Sequence, residues 1–235
     1  MIREEHRSES DWLEARYRYL TASDAASIMG DSPWKSASEL FDEKKRNRLP
    51  KDISNSPAVI FGKRAEEHIR AMAMLDLPYF DLAYHPYDLL ISEEYLASDE
   101  HPFIACTLDG ELTVATDDNP WMLEKGTRGI LECKTGSWRR ERDLESWEFV
   151  PCHYVWQGIH QLLATDWDFV LFAARVKRDG YRDDDQGFPE VKTYYRLLDR
   201  RSMAVREQMK DLLEAEVRFK KDLERNRRPA RLIRF

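Results

Sequence analysis

The stretch Gly129-Ile-Leu-Glu-Cys-Lys134 decides the fold of this 235-residue chain. It is a short apolar run that ends in a Glu-x-Lys pair and is bounded by Gly126 and Gly136, a pattern that predicts a buried strand. Residues two apart on a strand point to the same face, so Glu132 and Lys134 are expected side by side. The two charges then lie at the end of a buried strand, where an unpaired charge is costly.

Asp109 is a second carboxylate that can join this pair. Residues 103–107 lead through Leu108-Asp-Gly110 into residues 111–114, and their alternation of apolar and polar side chains predicts a half-buried hairpin. Because Asp109 lies at the bend just before strand 111–114, hairpin pairing can bring its carboxylate alongside Glu132. The sequence therefore predicts two carboxylates at one point of the sheet.

This grouping has the composition of a site for a hard cation. Asp109, Glu132 and the backbone carbonyl of Cys133 form an all-oxygen donor set of the kind that Mg²⁺ binds. A lysine beside such a cation, here Lys134, can orient a water molecule and help to deprotonate it, while the metal polarises a phosphoryl oxygen. These parts suit in-line attack of water on a phosphodiester. The alternative reading of the pattern is a surface strand with an ordinary Glu–Lys pair.

The remaining elements predict one α/β (α+β) domain with a central mixed sheet flanked by helices. Further strands are expected at 87–91, 168–176 and 191–198, and residues 151–165 form a helix that presents Tyr154, Gln157 and Gln161. The single domain, 1–235, comprises an N-terminal helical part at about 8–50, a core at about 56–200 and a C-terminal amphipathic helix at about 201–228.

A long helix is predicted to begin at Ser56-Pro57, which supplies an N-cap and a first-turn proline, and to run to about Leu75. It follows a polar loop at 46–56. Its apolar positions recur at three- and four-residue spacing, which predicts a buried face. They are Ile60, Phe61, Ala65, Ile69, Met72 and Leu75.

Composition narrows the class of protein. Asp and Glu number 44 and Lys and Arg 37, so the formal net charge is −7, which argues against a general nucleic-acid binder because affinity for phosphates depends on positive charge. No apolar run approaches the ~20 residues of a membrane span, and the charged N-terminus lacks the apolar segment of a signal peptide. Cys106, Cys133 and Cys152 show no disulfide or zinc spacing. A cytoplasmic protein with no membrane partner is expected.

Five blocks of sequence, taken in this order, resemble the PD-(D/E)XK nuclease superfamily and, within it, the YqaJ-type viral recombinase (lambda-exonuclease-like) family. The superfamily's proline before the metal-binding aspartate is Leu108 here, which alters a turn but no metal donor. The blocks are Trp12-Leu-Glu-Ala-Arg16 with Leu20-Thr-Ala-Ser-Asp24, Gly62-Lys-Arg-Ala-Glu66, Cys106-Thr-Leu-Asp-Gly110, Leu131-Glu-Cys-Lys134 and Tyr154-Val-Trp-Gln157.

The resemblance implies a restriction-endonuclease-like core and a Mg²⁺-dependent active site in which Mn²⁺ can substitute. The metal would be held by Asp109, Glu132 and the Cys133 carbonyl. Supporting roles fall to Lys134 on the attacking water, Glu66 as an ordering carboxylate and Gln157 on the scissile phosphate or the nucleophile.

The resemblance also implies a substrate and partners. In the family the N-terminal block binds a 5′-phosphate, which indicates Arg16 and Ser23 here, with Thr107 adding a hydroxyl. Arginine makes bidentate phosphate contacts, and a helix N-terminus favours anions. The expected activity is 5′→3′ exonucleolytic digestion of double-stranded DNA ends in phage or prophage recombination in a bacterial host. The expected partner is a single-strand annealing protein, and the expected assembly is a ring-shaped trimer.

Further DNA contacts are predicted from basic and aromatic residues. Trp138, followed by Arg139 and Arg140, is a candidate to stack on bases, as is Trp34, whereas Trp156 is expected in the core. The basic run at 44–48 is either a DNA contact or a solvated face. An acidic exterior with a basic channel around the carboxylates would reconcile the net charge with DNA binding.

Two other functions fit the same residues. A structure- or site-specific endonuclease could use this core without a 5′-phosphate pocket. A DNA-end-binding protein without catalysis would require the carboxylates to be dispensable.

Overall fold

The computed structural model describes residues 2–5, 8–46, 53–76, 87–90, 94–179 and 190–230. The strands are β1 (Ile2–Glu5), β2 (Leu20–Thr21), β3 (Tyr87–Leu90), β4 (Glu94–Ala97), β5 (Ile104–Cys106), β6 (Gly110–Val114), β7 (Arg128–Trp138), β8 (Phe169–Arg178) and β9 (Val191–Asp199). The helices are α1 (Glu9–Arg18), α2 (Ala22–Met29), α3 (Ala37–Lys44), α4 (Pro57–Asp76), α5 (Glu145–Phe149), α6 (Cys152–Thr165) and α7 (Met203–Glu224), with a 3-10 turn at Glu141–Leu144.

A five-stranded mixed sheet, with the order β3-β6-β7-β8-β9, forms the centre of the fold. β7 and β8 are parallel, and the other neighbours are antiparallel. Residues 169–174 of β8 are all buried, as their continuous apolar run predicts. The predicted fold class is therefore confirmed, and β7 extends beyond the predicted run to Trp138.

The two faces of this sheet are covered by different helices. Ile130 and Phe172 pack in one cluster with α2, α6 and α7. Leu131 and Leu171 point the other way and pack against Ile69 of α4. Because side chains alternate along a strand, Glu132 and Lys134 share the face of Ile130 and point towards α6. The sheet therefore lies between α4 on one side and α6 on the other.

A second sheet, with the order β1-β4-β5-β2, was not predicted. The expected hairpin between 103–107 and 111–114 is wrong, because β5 pairs with β4 and β2 while β6 pairs with β3 and β7. The chain passes from one sheet to the other through Leu108 and Asp109. The alternation of side chains identified both strands but carried no information about their partners.

α4 confirms the predicted long helix but buries a narrower face than expected. Ile69 and Ala73 are buried. Ile60, Phe61 and Leu75 are exposed, as is Met72. Regular spacing of apolar residues identifies the helix, but it does not show how far the sheet extends beneath it.

α7 confirms the predicted C-terminal helix, since Val205, Met209 and Leu212 are buried against α2 and α6. The strand predicted at 87–91 is observed as β3, and Ile91 lies outside the described residues. Much of the predicted loop at 46–56 also lies outside them. None of the described helices is long and apolar enough to cross a membrane.

Candidate active site

Asp109 lies where the chain enters the central sheet. The antiparallel pairing of β6 with β7 ends at Gly110 opposite Leu131. Beyond this point β7 has no backbone partner on this edge in the described part of the chain, and the Asp109 side chain supplies a partner. Its Oδ2 accepts a hydrogen bond from the backbone N–H of Cys133 at 2.7 Å. Strand pairing therefore brings Asp109 beside Glu132, although the pairing partner is β7 and not β5.

Glu132 is the centre of a hydrogen-bonded group between β7 and α6. Its Oε1 accepts from Lys134 Nζ at 2.5 Å and from Gln157 Nε2 at 2.5 Å. Its Oε2 accepts from Gln161 Nε2. Lys134 Nζ also donates to Gln157 Oε1 at 2.9 Å. Glu132 is only 3% exposed, so these donors compensate for the loss of water around a buried carboxylate.

The two glutamines reach the same carboxylate because they are separated by four residues on α6, which places them on one helix face. Tyr154 lies one turn before Gln157, and its ring is 4.6 Å from Lys134 Nζ. The ammonium group therefore rests between two oxygens and an aromatic face. The contact of Gln161 with Glu132 was not predicted, although the shared helix face could have indicated it.

A cavity of about 400 Å³ opens over this group. It lies between α4, residues 132–135 in the middle of β7, and α6, and Ser23 of α2 also lines it. Its lining residues are Ser23, Gly62, Glu66, Ile69, Asp109, Glu132, Cys133, Lys134, Thr135, Tyr154 and Gln157.

Glu66 is held at the cavity by Arg70, one helical turn later on α4. The two side chains form an ion pair, and Arg70 also donates to the backbone carbonyl of Asp109 at 3.3 Å. Arg70 thus links α4 to the turn that carries Asp109. Sequence reasoning missed this residue, although its spacing of four from Glu66 is the signal of a helical ion pair.

Among the described residues that line the cavity, the carboxylates of Glu66, Asp109 and Glu132 outnumber one lysine, Lys134. This lining does not support the predicted basic channel around the carboxylates. Burial and the nearby Glu132 raise the pKa of Asp109 well above its usual value, against the opposing effect of Lys134. Burial disfavours the charge of Lys134, but Glu132 and Asp109 outweigh it and raise the pKa of this ammonium.

The N-terminal block places Ser23 in the cavity and Arg16 behind it. Arg16 donates to Ser23 Oγ at 3.1 Å. Thr21 caps α2 through Asp24, whose Oδ2 accepts from both the Thr21 backbone N–H and its hydroxyl at 2.9 Å. Thr107 is exposed and does not line the cavity. Of the three predicted phosphate ligands, the structure brings two together.

In the described part of the basic run at 44–48, the Lys44 side chain is buried, while Lys45 and Arg46 are exposed and contact other parts of the chain. Lys44 Nζ lies 2.6 Å from Asp24 Oδ2. Lys45 donates to the Leu223 carbonyl, and Arg46 pairs with Glu14. Residues 47 and 48 lie outside the described residues. These contacts thus connect α3 with α1 and α2 and with the end of α7.

The prediction that Trp138 contacts DNA is wrong. Trp138 is only 2% exposed and packs with Leu144 and Trp147. Arg178 and Lys192 lie over its ring, at 5.2 and 5.1 Å from the centroid. The reason is that β7 continues to Trp138 and turns this side chain into a small hydrophobic cluster.

The neighbours of Trp138 differ from it in exposure. Arg139 and Arg140 are exposed, with Arg139 3.7 Å from Asp179, and both remain candidate DNA contacts. Trp156 is buried in the main core as predicted. Cys106 is buried, and burial raises the pKa of the Cys133 thiol, which agrees with packing roles for both side chains.

Comparison with known proteins supports the predicted resemblance. The family model described as YqaJ-like viral recombinase domain matches residues 11–168. An alkaline exonuclease (LHK-Exo) from Laribacter hongkongensis shares 15% identity with a TM-score of 0.57, over 93% of this chain and 96% of that one. LHK-Exo in complex with dAMP gives 17% identity and a TM-score of 0.57 over the same shares. At these identities the likeness shows a common fold. No curated protein matches the sequence.

Proposed function

The chain belongs to the YqaJ-like viral recombinase domain family, and we propose from this premise that it is a divalent-metal-dependent exonuclease acting on DNA ends. The observation that carries the proposal is the convergence of Asp109, Glu132 and Lys134 on one cavity. Each comes from a sequence block of the resemblance, and the fold brings them within hydrogen-bonding reach of one strand segment.

The donor set fits a hard cation. Asp109 and Glu132 supply carboxylate oxygens, and the carbonyl of Cys133 faces the same edge as its N–H, which is bonded to Asp109. Among the described residues, no group of three or more His, Cys, Asp and Glu side chains is placed to hold a metal ion. The proposed Mg²⁺ would therefore take only two carboxylates and one carbonyl from the protein, with waters and substrate phosphate as its other ligands.

A bound Mg²⁺ would lower the pKa of a coordinated water and neutralise charge on the phosphoryl group. The protein's own residues supply positioning. Lys134 Nζ is fixed by Glu132 and Gln157, so it can donate a hydrogen bond to a water or phosphoryl oxygen in the cavity without a search through rotamers. Gln157 and Gln161 fix the orientation of Glu132, and Arg70 fixes Glu66 and the Asp109 backbone.

We propose 5′→3′ polarity because Ser23, to which Arg16 donates a hydrogen bond, lines the same cavity. A terminal 5′-phosphate could therefore bind there while the adjacent phosphodiester lies near Glu132. Arg16→Ala should sharply lower digestion of 5′-phosphorylated ends and leave 5′-hydroxyl ends little changed. Equal effects on both kinds of end would contradict the pocket.

The wider proposal follows the family. The enzyme would use Mg²⁺, with Mn²⁺ as a substitute, and leave 3′ overhangs for a single-strand annealing protein in phage or prophage recombination. It would work in the cytoplasm of a bacterial host as a ring-shaped trimer. Sedimentation of the purified protein tests the trimer, and co-purification with the annealing protein tests the partnership.

One assay tests the central proposal. Linear and closed circular duplex DNA are incubated with the protein, with and without Mg²⁺. Wild type should digest the linear form alone, and only with metal. Lys134→Met should lower the rate by at least about 100-fold, the usual scale for a positioned proton-transfer group. Lys210→Met, at an exposed position on α7, is the matched control and should keep full activity.

The other outcomes are informative. Cleavage of closed circles would support an endonuclease. Binding of DNA ends without cleavage would support an end-binding protein. Full activity of Lys134→Met would contradict the assigned active site.

A further inference from the structure

Trp34 is an exposed aromatic residue on a fixed segment. Its side chain is 71% exposed. Trp34 lies in the segment between α2 and α3, which several hydrogen bonds hold in one conformation. Ser32 Oγ accepts from the backbone N–H of Trp34 and of Lys35, each at 3.2 Å. Asp31 accepts from the indole N–H of Trp156 at 2.7 Å, which ties the segment to α6. The ring is therefore held in place while most of its surface faces water.

The neighbours of Trp34 connect it to the active site. The His153 ring lies edge-on to it, with centroids 4.7 Å apart, and the Tyr154 ring is 6.4 Å away. Tyr154 lines the cavity and covers Lys134 Nζ at 4.6 Å. A continuous row of rings thus runs from the lysine of the active site to the exposed tryptophan.

The row carries little charge. Burial and the nearby Lys134 lower the pKa of His153, so this ring is neutral at neutral pH. A neutral histidine braces the indole without adding a cation that would attract phosphate. The outward surface of Trp34 is therefore suited to a flat, weakly polar group, such as a nucleobase.

The size of the cavity determines what reaches this surface. At about 400 Å³ it has the volume of a site for one small molecule, which suits one nucleotide of a single strand better than a duplex. A strand end that places its terminal nucleotide inside this cavity is unpaired at that nucleotide, and its base loses its stacking partner. An aromatic platform beside the cavity can replace part of that stacking.

We propose that Trp34, braced by His153 and Tyr154, is the stacking platform for an unpaired base of the DNA strand that enters the cavity. This inference rests on the proposed nuclease function and adds a base-binding subsite to it. A contact of Trp34 with another protein would use the same exposure, but the row of rings towards Lys134 favours DNA.

The test is made in the Lys134→Met background with Mg²⁺, so that the DNA probe is bound without being digested. Two fluorescently labelled single strands of equal length, both 5′-phosphorylated, serve as probes: one of ordinary adenine nucleotides and one of abasic residues. Trp34→Ala should weaken binding of the adenine strand by roughly 5-fold to 150-fold, the range of one base–aromatic stack. It should leave binding of the abasic strand unchanged. Trp34→Phe should restore most of the affinity.

The controls separate this inference from the proposed function. Met203→Ala removes another strongly exposed apolar side chain and should have no effect. If the adenine strand binds Trp34→Ala as tightly as the parent, or if both strands lose affinity equally, the platform is refuted while the nuclease proposal stands. If wild type digests no DNA and the parent binds neither strand, both proposals fail. A change in sedimentation of Trp34→Ala with unchanged DNA affinity would assign the ring to a protein contact and overturn the platform.

Discussion

Replacement of Lys44 by methionine should destabilise the protein by about 3–5 kcal/mol, the cost of leaving one member of a buried ion pair without its partner. The side chains of Lys44 and Asp24 are 6% and 4% exposed, with Nζ and Oδ2 2.6 Å apart. Lys44 Nζ also donates to the carbonyl oxygens of Arg16 and Tyr19, at 2.6 and 2.7 Å. Methionine keeps most of the volume but leaves a buried carboxylate and two carbonyls without this donor.

The pH dependence of the free energy of unfolding gives a second, independent measure of the interaction between Lys44 and Asp24. Burial would raise the pKa of Asp24, but Lys44 and Arg16 overcome it and hold the pKa at about 2, below the ordinary value of 3.8. A carboxyl with a depressed folded pKa contributes stability above its unfolded pKa and loses it as the pH falls through the folded value. At neutral pH this contribution is about 2 kcal/mol. Without Lys44, burial dominates and the pKa of Asp24 rises, so the deficit of the variant should shrink as Asp24 takes up a proton.

Urea unfolding followed by circular dichroism, at neutral pH and at intervals down to about pH 4, measures both effects. Lys220→Met is the matched control, because Lys220 pairs with Glu224 on the surface of α7 and its loss should cost no more than about 0.5 kcal/mol. The reasoning is refuted if Lys44→Met costs less than about 1 kcal/mol, the range of an exposed pair. It is also refuted if the deficit does not change with pH.

Further stability predictions concern one buried histidine and two glycines. His160 Nδ1 lies 2.6 Å from Glu216 Oε1. Burial opposes the charge of His160, but Glu216 outweighs burial and raises the pKa of the imidazole. The stability that this pair contributes is therefore complete below about pH 6.5, the unfolded pKa, and is lost as the pH rises through the raised folded pKa. Glu216→Gln should flatten the fall in Tm on the alkaline side, and an unchanged pH profile would contradict the charged pair. Gly129→Ala would place a Cβ 2.2 Å from the ring of Phe169 and should cost about 1–3 kcal/mol in urea unfolding. Gly62→Ala on α4 would place its Cβ 3.6 Å from Thr135 Oγ1 of β7 and should instead stabilise by up to about 1 kcal/mol; a loss of stability would show that the spacing argument fails.

The central sheet could be predicted because its strands carry their own signal. The apolar run of β8 is buried whichever strands lie beside it, and the run of β7 before Glu132 is equally clear. The small sheet could not be predicted, because β2 has two residues and β5 has three, too few to show a period. Its existence depends on contacts between distant parts of the chain.

The residues of the candidate site also differ in how far they could be predicted from local sequence. Glu132 and Lys134 are adjacent on one strand, so their proximity follows from strand geometry alone. The proximity of Asp109 depended on pairing, and the right residue was found although the partner strand was misassigned. Trp138 was misjudged because its exposure depends on Trp147 and the 3-10 turn, which close over it from a later segment.

Part of the acidity behind the net charge of −7 lies in the cavity itself. In the part of the cavity lining that the structure describes, Glu66, Asp109 and Glu132 outnumber Lys134, so this lining alone offers a phosphate little attraction. Lys44 is paired with Asp24 away from this lining, whereas Arg70 pairs with Glu66 at the cavity and offsets its charge. If the chain acts on DNA ends as proposed, its attraction for DNA depends on a cation at the carboxylates, on local contacts such as Arg16, and on uncharged stacking. Such a surface would bind an end that can enter the cavity and would have little affinity for the charge of intact duplex.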